Sequence, residues 1–178
     1  MKTTVAILFP SFLLIASVLV ACQPPPMPTG TPAVTPTPFP TPIPYDHQDT
    51  PEHLIASYIN AINRGEYQRA YDYWEANPQS FGDFVAGLQD ISHILLVVRL
   101  PAYVEGAAGS QYAELDTLLL TTNTDGTQHV DKTCFVTRRP NPEMTDTPDV
   151  QTPWMIYSAT TVPASGSDAW QLATGCPE

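Results

Sequence analysis

Few side chains in this sequence of 178 residues are of types and spacings that could do chemistry together. His93 and the carboxylates Glu114, Asp116 and Asp131 could move a proton, and Tyr58, Tyr71 and Trp74 could offer a ligand a flat ring with one polar tip. Asp116 follows Leu115 in a stretch that alternates like a strand, so one of the two faces inward. An inward Asp116 would be a buried carboxylate with a raised pKa, suited to act as a base; an outward one is a solvated surface charge. His93, beside Ile94, reads either as a base or as a hydrogen-bonded structural histidine. Tyr58, Tyr71 and Trp74 recur at helical spacing, which suits core packing as well as a pocket wall. The sequence has no Gly-x-Ser-x-Gly elbow, His-Glu-x-x-His pair, phosphate-cradling glycine loop or EF-hand-type acidic loop. Gly106-Ala-Ala-Gly109 reads as turn material, since no helix follows it. Arg138-Arg139 reads as a strand end facing solvent or as an anion contact. No residue is therefore assigned a catalytic role, and no metal or cofactor is expected.

The elements that must position these residues begin at Thr50. Thr50-Pro51-Glu52 supplies a capping oxygen, a ring that needs no N–H and an acid at the positive dipole end, which together start a helix. Leu54, Ile55, Tyr58, Ile59 and Ile62 form its apolar face, and Asn63-Arg64-Gly65 ends it, because Gly tolerates the left-handed turn. Tyr67, Ala70, Tyr71 and Trp74 repeat the pattern in a second short helix. Ser80 and Asp83 are spaced like a capping box, although Asp reaches less far than Glu, and Phe81, Phe84, Val85 and Leu88 give a third helix its face.

Beyond residue 90 the period changes to that of strands. Ile91 to Val98, Tyr112 to Thr122, His129 to Arg138 and Trp154 to Val162 read as four strands, with Asp125-Gly126 as the turn between the second and third. Pro140 to Pro153, with four prolines and three acids, reads as a loop, and Ala169 to Ala173 as a short closing strand or coil. Helices first and strands afterwards predict an α+β domain over residues 50–178, with the helices packed on a curved antiparallel sheet.

The N-terminus is of another kind. Lys2, an apolar run from Val5 to Ala21 and a small-residue exit make residues 1–21 a secretion signal. Leu19-Val20-Ala21-Cys22 resembles the bacterial lipobox, which implies cleavage before Cys22 and diacylglycerol on its sulfur; the competing reading is an uncleaved anchor helix. Both place the remainder outside the cytoplasm, held to a bacterial membrane. Residues 22–49 follow as a tether. Ten of the twenty-two residues from Gln23 to Pro44 are proline, which favours extended polyproline II and a spacer, or alternatively a Pro-rich ligand for a partner. Without residues 1–21 the chain keeps six basic against eighteen acidic side chains, a net charge of −12. Nucleic acid and anionic membrane surfaces are thus poor partners, and attachment must come from the lipid. With Cys22 acylated, Cys134 and Cys176 remain. In an oxidising compartment they are expected to form a disulfide, and two isolated thiols make a poor alternative metal site.

One resemblance adds to this. Tyr58-Ile-Asn-Ala-Ile-Asn-Arg-Gly-Glu-Tyr-Gln-Arg-Ala-Tyr71, Trp74, Phe81 to Leu88, the hairpin Asp125-Gly126 leading to Phe135-Val-Thr-Arg-Arg139, and Trp154 make residues 51–162 similar to the nuclear-transport-factor-like superfamily, which includes ketosteroid isomerase and the polyketide cyclases. The resemblance implies a cystatin-like cone in which helices lean on a concave sheet and leave a pocket that Tyr58, Tyr71, Trp74, His93 or Asp116 could line. In the enzymes of the group that pocket holds an Asp or His base; no Tyr-Asp pair matching ketosteroid isomerase aligns here. The chain is also similar to extracytoplasmic lipoproteins carrying such a domain, which points to a non-catalytic module for a small molecule or an envelope protein. The alternatives are an isomerase, dehydratase or cyclase, or a structural module with a filled pocket. Cones of this type often pair through the outer face of the sheet, so a homodimer is a further expectation.

Overall fold

Local rules set the helices. In the computed structural model, which describes residue 39 and residues 41–100, 102–107, 109–144 and 152–164, Thr50 accepts a hydrogen bond from the His53 amide at 3.1 Å and opens α1, Pro51–Asn63. Leu54, Ile55, Tyr58, Ile59, Ala61 and Ile62 are its buried face. Gly65 ends it with φ +70°, a conformation that costs a side-chain-bearing residue energy. This lets the Gly65 amide reach Ile62 O and the Glu66 amide reach Ala61 O, both at 2.9 Å. Helix α2, Tyr67–Asp72, is short, and helix α3, Phe81–Leu88, is capped by Ser80. Asp83 does not reach back to the Ser80 backbone as a longer Glu would. It accepts from the Ser80 hydroxyl at 2.7 Å, while that oxygen accepts from the Asp83 amide at 3.2 Å.

Leaving the helix after Asp72 buries a residue that helical spacing does not single out. Tyr73 O accepts from the Ile156 amide at 2.8 Å and the Glu75 amide donates to Ile156 O at 2.9 Å, so residues 73–75 run as a one-bridge parallel partner of the last strand. Tyr73 is 2 % exposed, whereas Tyr71 and Trp74 are only half-buried.

The sheet is open, curved, antiparallel and five-stranded: β1 Ile91–Val98, β2 Tyr103–Ala107, β3 Ser110–Asn123, β4 Gln128–Pro140 and β5 Met155–Pro163. β4 pairs with β3 along nearly its whole length, and the other edge of β3 is shared. β1 takes Thr117 to Asn123 and β2 takes Ser110 to Glu114. Two turns follow from glycines with positive φ, Gly109 at +80° and Gly126 at +84°. The α+β expectation therefore holds, with one strand more than the sequence pattern suggested. Gly106 and Ala107 belong to β2 rather than to the turn. β2 escapes pattern reading because all five of its residues are exposed and show no alternation.

Alternate strand residues turn toward the helices. Ile94, Ala113, Leu115, Phe135, Trp154 and Ile156 share one core with Leu54, Ile55, Tyr58, Ile62, Ala70 and Tyr73. An irregularity in the β1–β3 register between Ile91 and His93 lets both Ile91 and Ile94 pack on the core side. The last residue of α1 closes the joint: Asn63 Nδ2 donates to Ile94 O at 2.8 Å and Asn63 Oδ1 accepts from the Ile94 amide at 2.7 Å.

The end of the Pro-rich stretch is part of this body. Residues 41–49, read from composition as tether, lie against α1 and α2: Asn60 donates to Ile43 O, Ser57 to His47 O, Arg64 to Pro42 O and Arg69 to Tyr45 O. Among the described residues no helix is long and apolar enough to cross a membrane. The signal segment, Cys22, Cys176, residues 145–151 of the loop and Ala169 to Ala173 lie outside the described residues.

Because Asn63 alone satisfies both backbone groups of Ile94 facing α1, Asn63→Ala is expected to lower unfolding free energy in urea by about 2 kcal/mol. Gln68→Ala, which removes an exposed bond to Asp72, should change it by no more than about 0.5 kcal/mol. Equal midpoints for the two variants would show that the joint carries no weight.

Candidate functional site

Between the helices and the inner face of the sheet the layers do not close, and a cavity of about 390 Å³ remains. Tyr58, Ile59 and Ile62 of α1 form one wall, and Phe84, Gly87 and Leu88 of α3 another. Trp74 and the loop Asn77-Pro78-Gln79 join those walls, and the strands supply the floor, including Ile94, Leu119, Phe135 and Ala159. Gly87 lies at the exposed rim, where a Cβ built on it would meet nothing within 4 Å.

The polar groups of the cavity are unevenly distributed. Thr121, Thr133 and Thr161 line the floor, with Thr133 Oγ1 and Thr161 Oγ1 sharing a hydrogen bond at 3.1 Å. Asp131 and His129 follow on the same face of β4, two and four residues before Thr133, with His129 Nε2 3.4 Å from Asp131 Oδ2. Toward Phe135, Tyr58 sits edge-on to both Trp74 and Phe135, at ring separations of 6.2 and 6.0 Å. Burial pushes the Tyr58 phenol up to about 12, against a weaker opposing pull from the Trp74 indole. That indole Nε1 nonetheless lacks hydrogen-bond geometry to any acceptor, and so does Asn77 Nδ2; both atoms are buried. Asn77 is oriented by its other atom, Oδ1, which accepts from the Gln79 amide at 3.0 Å. Two donors without acceptors therefore sit in the wall of one cavity.

The residues singled out from sequence divide in two. Tyr58, Trp74 and Asp131 line the cavity. Tyr71 lies outside it, packing edge-on to Phe81 and Phe84 and donating to Gln79 O at 2.8 Å. Asp116 lies on the far side of the sheet: Leu115, fully buried, takes the inward position, and Asp116 Oδ2 is 3.9 Å from Arg99 Nη1. Its reading as an inward base is thus corrected by the pleat, which allows only one of two successive residues to face the core. His93 also faces away from the cavity, stacked on Phe39 at 4.3 Å and 18°, with burial holding its pKa below the ordinary imidazole value. Glu114 is exposed. Arg138 and Arg139 lie partly exposed near the end of β4: Arg138 pairs with Glu75 and Ser110, and Arg139 lies over the Trp154 ring at 4.6 Å and donates to Gln111. Cys134 is disulfide-bonded, and its partner lies outside the described residues.

Sequence reading missed His129, Asn77 and the threonine row. The row was visible as a period of two, His129, Asp131, Thr133, Phe135, ending on an aromatic that must face the core. Asn77 left no comparable signal.

Because Tyr58 is neutral when protonated and its folded pKa lies above the usual 10, the folded form resists losing that proton. Stability should be unaffected by this group below pH 10 and fall by roughly 2–3 kcal/mol as pH rises from about 10 to 12. Denaturation curves across that range should show a shallower loss in Tyr58→Phe; identical slopes would place the phenol in water.

Compared with known proteins, the chain matches no protein-family model and no curated protein.

Proposed function

We propose that this chain is an extracytoplasmic lipoprotein, held to a bacterial membrane through acylated Cys22, whose α+β domain is a non-catalytic module that binds a small molecule between its helices and its sheet. The observation that carries the binding reading is the cavity of about 390 Å³, walled by apolar residues of α1 and α3 and floored by the sheet. Its size falls in the range of small-ligand pockets. An open volume speaks against a purely structural head with a self-filled interior. The cone architecture of the nuclear-transport-factor-like superfamily is part of the proposal, supported by the glycine corner after α1 and the curved antiparallel sheet.

An acid–base enzyme is the second reading. What favours it is the pair His129–Asp131 at 3.4 Å on the cavity wall, rather than His93 or Asp116. Binding is the simpler account, because the wall donors without acceptors belong to Trp74, packed on Tyr58 toward Phe135, and to Asn77, while the pair lies two and four residues ahead of Thr133 on β4.

The anchoring half rests on sequence. The lipobox-like Leu19-Val20-Ala21-Cys22 and the Pro-rich stretch after it support a lipid-held stalk. Cys176 is the proposed partner of Cys134, since acylation removes Cys22 from the choice.

Two measurements test the two halves. For binding, the mature chain with Cys22→Ser is titrated with the neutral dye N-phenyl-1-naphthylamine. We expect fluorescence enhancement that Gly87→Phe, by filling the cavity, weakens by at least about tenfold while leaving the melting temperature equal or higher, because a glycine inside a helix costs about 0.5–1 kcal/mol. A dye that binds Gly87→Phe as well as wild type is not in the cavity. For anchoring, unreduced peptide mapping of protein extracted from membranes should yield a diacylglyceryl peptide beginning at Cys22 and a peptide pair linked through Cys134 and Cys176. An unmodified Cys22 thiol, or a Cys22–Cys134 link, would overturn that half.

A further inference from the structure

Resting on the reading that the cavity binds small molecules, we infer that it is polarised for an elongated cationic amphiphile: an acceptor oxygen at the Trp74–Asn77 end, an apolar middle, and an ammonium group at Asp131. Among the described residues Trp74 Nε1, beside the Tyr58 phenol but not in hydrogen-bond geometry with it, and Asn77 Nδ2 have no acceptor, and a buried donor is stabilised by an oxygen brought to it. A ligand carbonyl or ether offers such an oxygen, after a small rotation of side chains whose donor atoms are now shielded from solvent.

The other end differs in sign. Among the described residues Asp131 is the one carboxylate on the cavity wall, and no lysine or arginine lines it. His129 Nε2 lies 3.4 Å from its Oδ2. An anion placed beside Asp131 would be repelled, whereas an ammonium would gain a charge-assisted hydrogen bond in a partly desolvated setting. A net charge of −12 on the mature chain adds a long-range field of the same preference.

Geometry fixes the length. Asp131, Thr133 and Phe135 alternate on one face of β4, so the carboxylate end lies about 13 Å along the strand from the ring beneath Tyr58 and Trp74. A volume of about 390 Å³ spread over that length leaves a channel about one ring or one alkyl chain wide. Ile59, Ile62, Phe84 and Leu119 line its middle.

The test uses one scaffold with interchangeable ends, titrated calorimetrically at about pH 8. The parent probe is 4-(3-aminopropoxy)acetophenone; its relatives replace the amine with an alcohol or a carboxylic acid, or the ketone with an ethyl group. On the mature chain with Cys22→Ser, the amine should bind at least about tenfold more tightly than the acid and measurably more tightly than the alcohol. Asp131→Asn should abolish the preference of amine over alcohol, and Trp74→Phe the preference of ketone over ethyl. Retained binding of N-phenyl-1-naphthylamine by both variants shows that they are folded. Amine, alcohol and acid binding alike, or an Asp131→Asn protein that keeps the amine preference, would overturn the inference. If no probe binds wild type while the dye does, the polarity is wrong and the cavity reading survives; if the dye fails as well, both fall.

Discussion

The structure depends on how the end of one helix is held against one strand. Asn63, the last residue of α1, meets both backbone groups of Ile94 through its amide, at 2.7 and 2.8 Å. Two positions later Gly65 turns the chain through a left-handed conformation, at φ +70°. A strand edge leaves backbone groups in need of partners, and at this joint the side-chain amide of Asn63 supplies both of them. The pinned distance then lets side chains decide where the layers touch. Large residues of both layers, such as Leu54, Ile55, Leu115 and Ile156, belong to a single closed core, whereas α3 brings Gly87 to its wall and the space there stays open.

Chemistry of the Pro-rich stretch explains why residues 41–49 dock instead of trailing. Proline removes the N–H, so such a segment cannot pair as a strand, but it keeps every carbonyl. Those carbonyls become acceptors for side chains of α1 and α2: Pro42 O for Arg64, Ile43 O for Asn60, Tyr45 O for Arg69 and His47 O for Ser57. Arg69 is the hub, also binding Glu66 and the Tyr73 hydroxyl, which in turn donates to Asp46 at 2.7 Å. Burial, reinforced by that carboxylate, pushes the Tyr73 phenol up to about 12, so it remains a donor at ordinary pH. Composition conveyed the extended conformation of this segment; its attachment depends on residues far along the chain.

That contrast describes what the sequence made legible. Thr50, Gly65, Ser80 and the Asp125-Gly126 turn act through neighbours within a few residues, and all appear where local rules place them. β2 was illegible because nothing in Tyr103 to Ala107 demands a strand; it forms because β3 is long enough to leave an edge free beyond β1. Tyr73 was passed over because helical spacing continues on paper past Asp72, where the chain instead leaves the helix to bridge Ile156. The site suffered from the same limit. Which of Leu115 and Asp116 faces the cavity, and whether His93 does, depends on pairing register and on the irregularity near Ser92, and a shift of one residue reverses every face. Asp131 was legible as a candidate, but its link to His129 and Thr133 needed the strand to be read as a row.

The strongest argument that the cavity is selected rather than left over comes from what it costs. A glycine in α3 is less favourable than alanine by about 0.5–1 kcal/mol, and each buried donor without an acceptor costs about 1–3 kcal/mol. Trp74 Nε1 and Asn77 Nδ2 are such donors and their residues line the same volume, as does Gly87, whereas Gly82 of the same helix does not. Scattered through the domain, they would be ordinary imperfections of a marginally stable fold. Gathered around one opening, with a carboxylate at its far end, they are costs that a bound molecule can offset: it fills the space beside the glycine, supplies oxygen to the donors and brings charge to Asp131. On that account the polarity of the cavity, and not its volume, should decide what it takes.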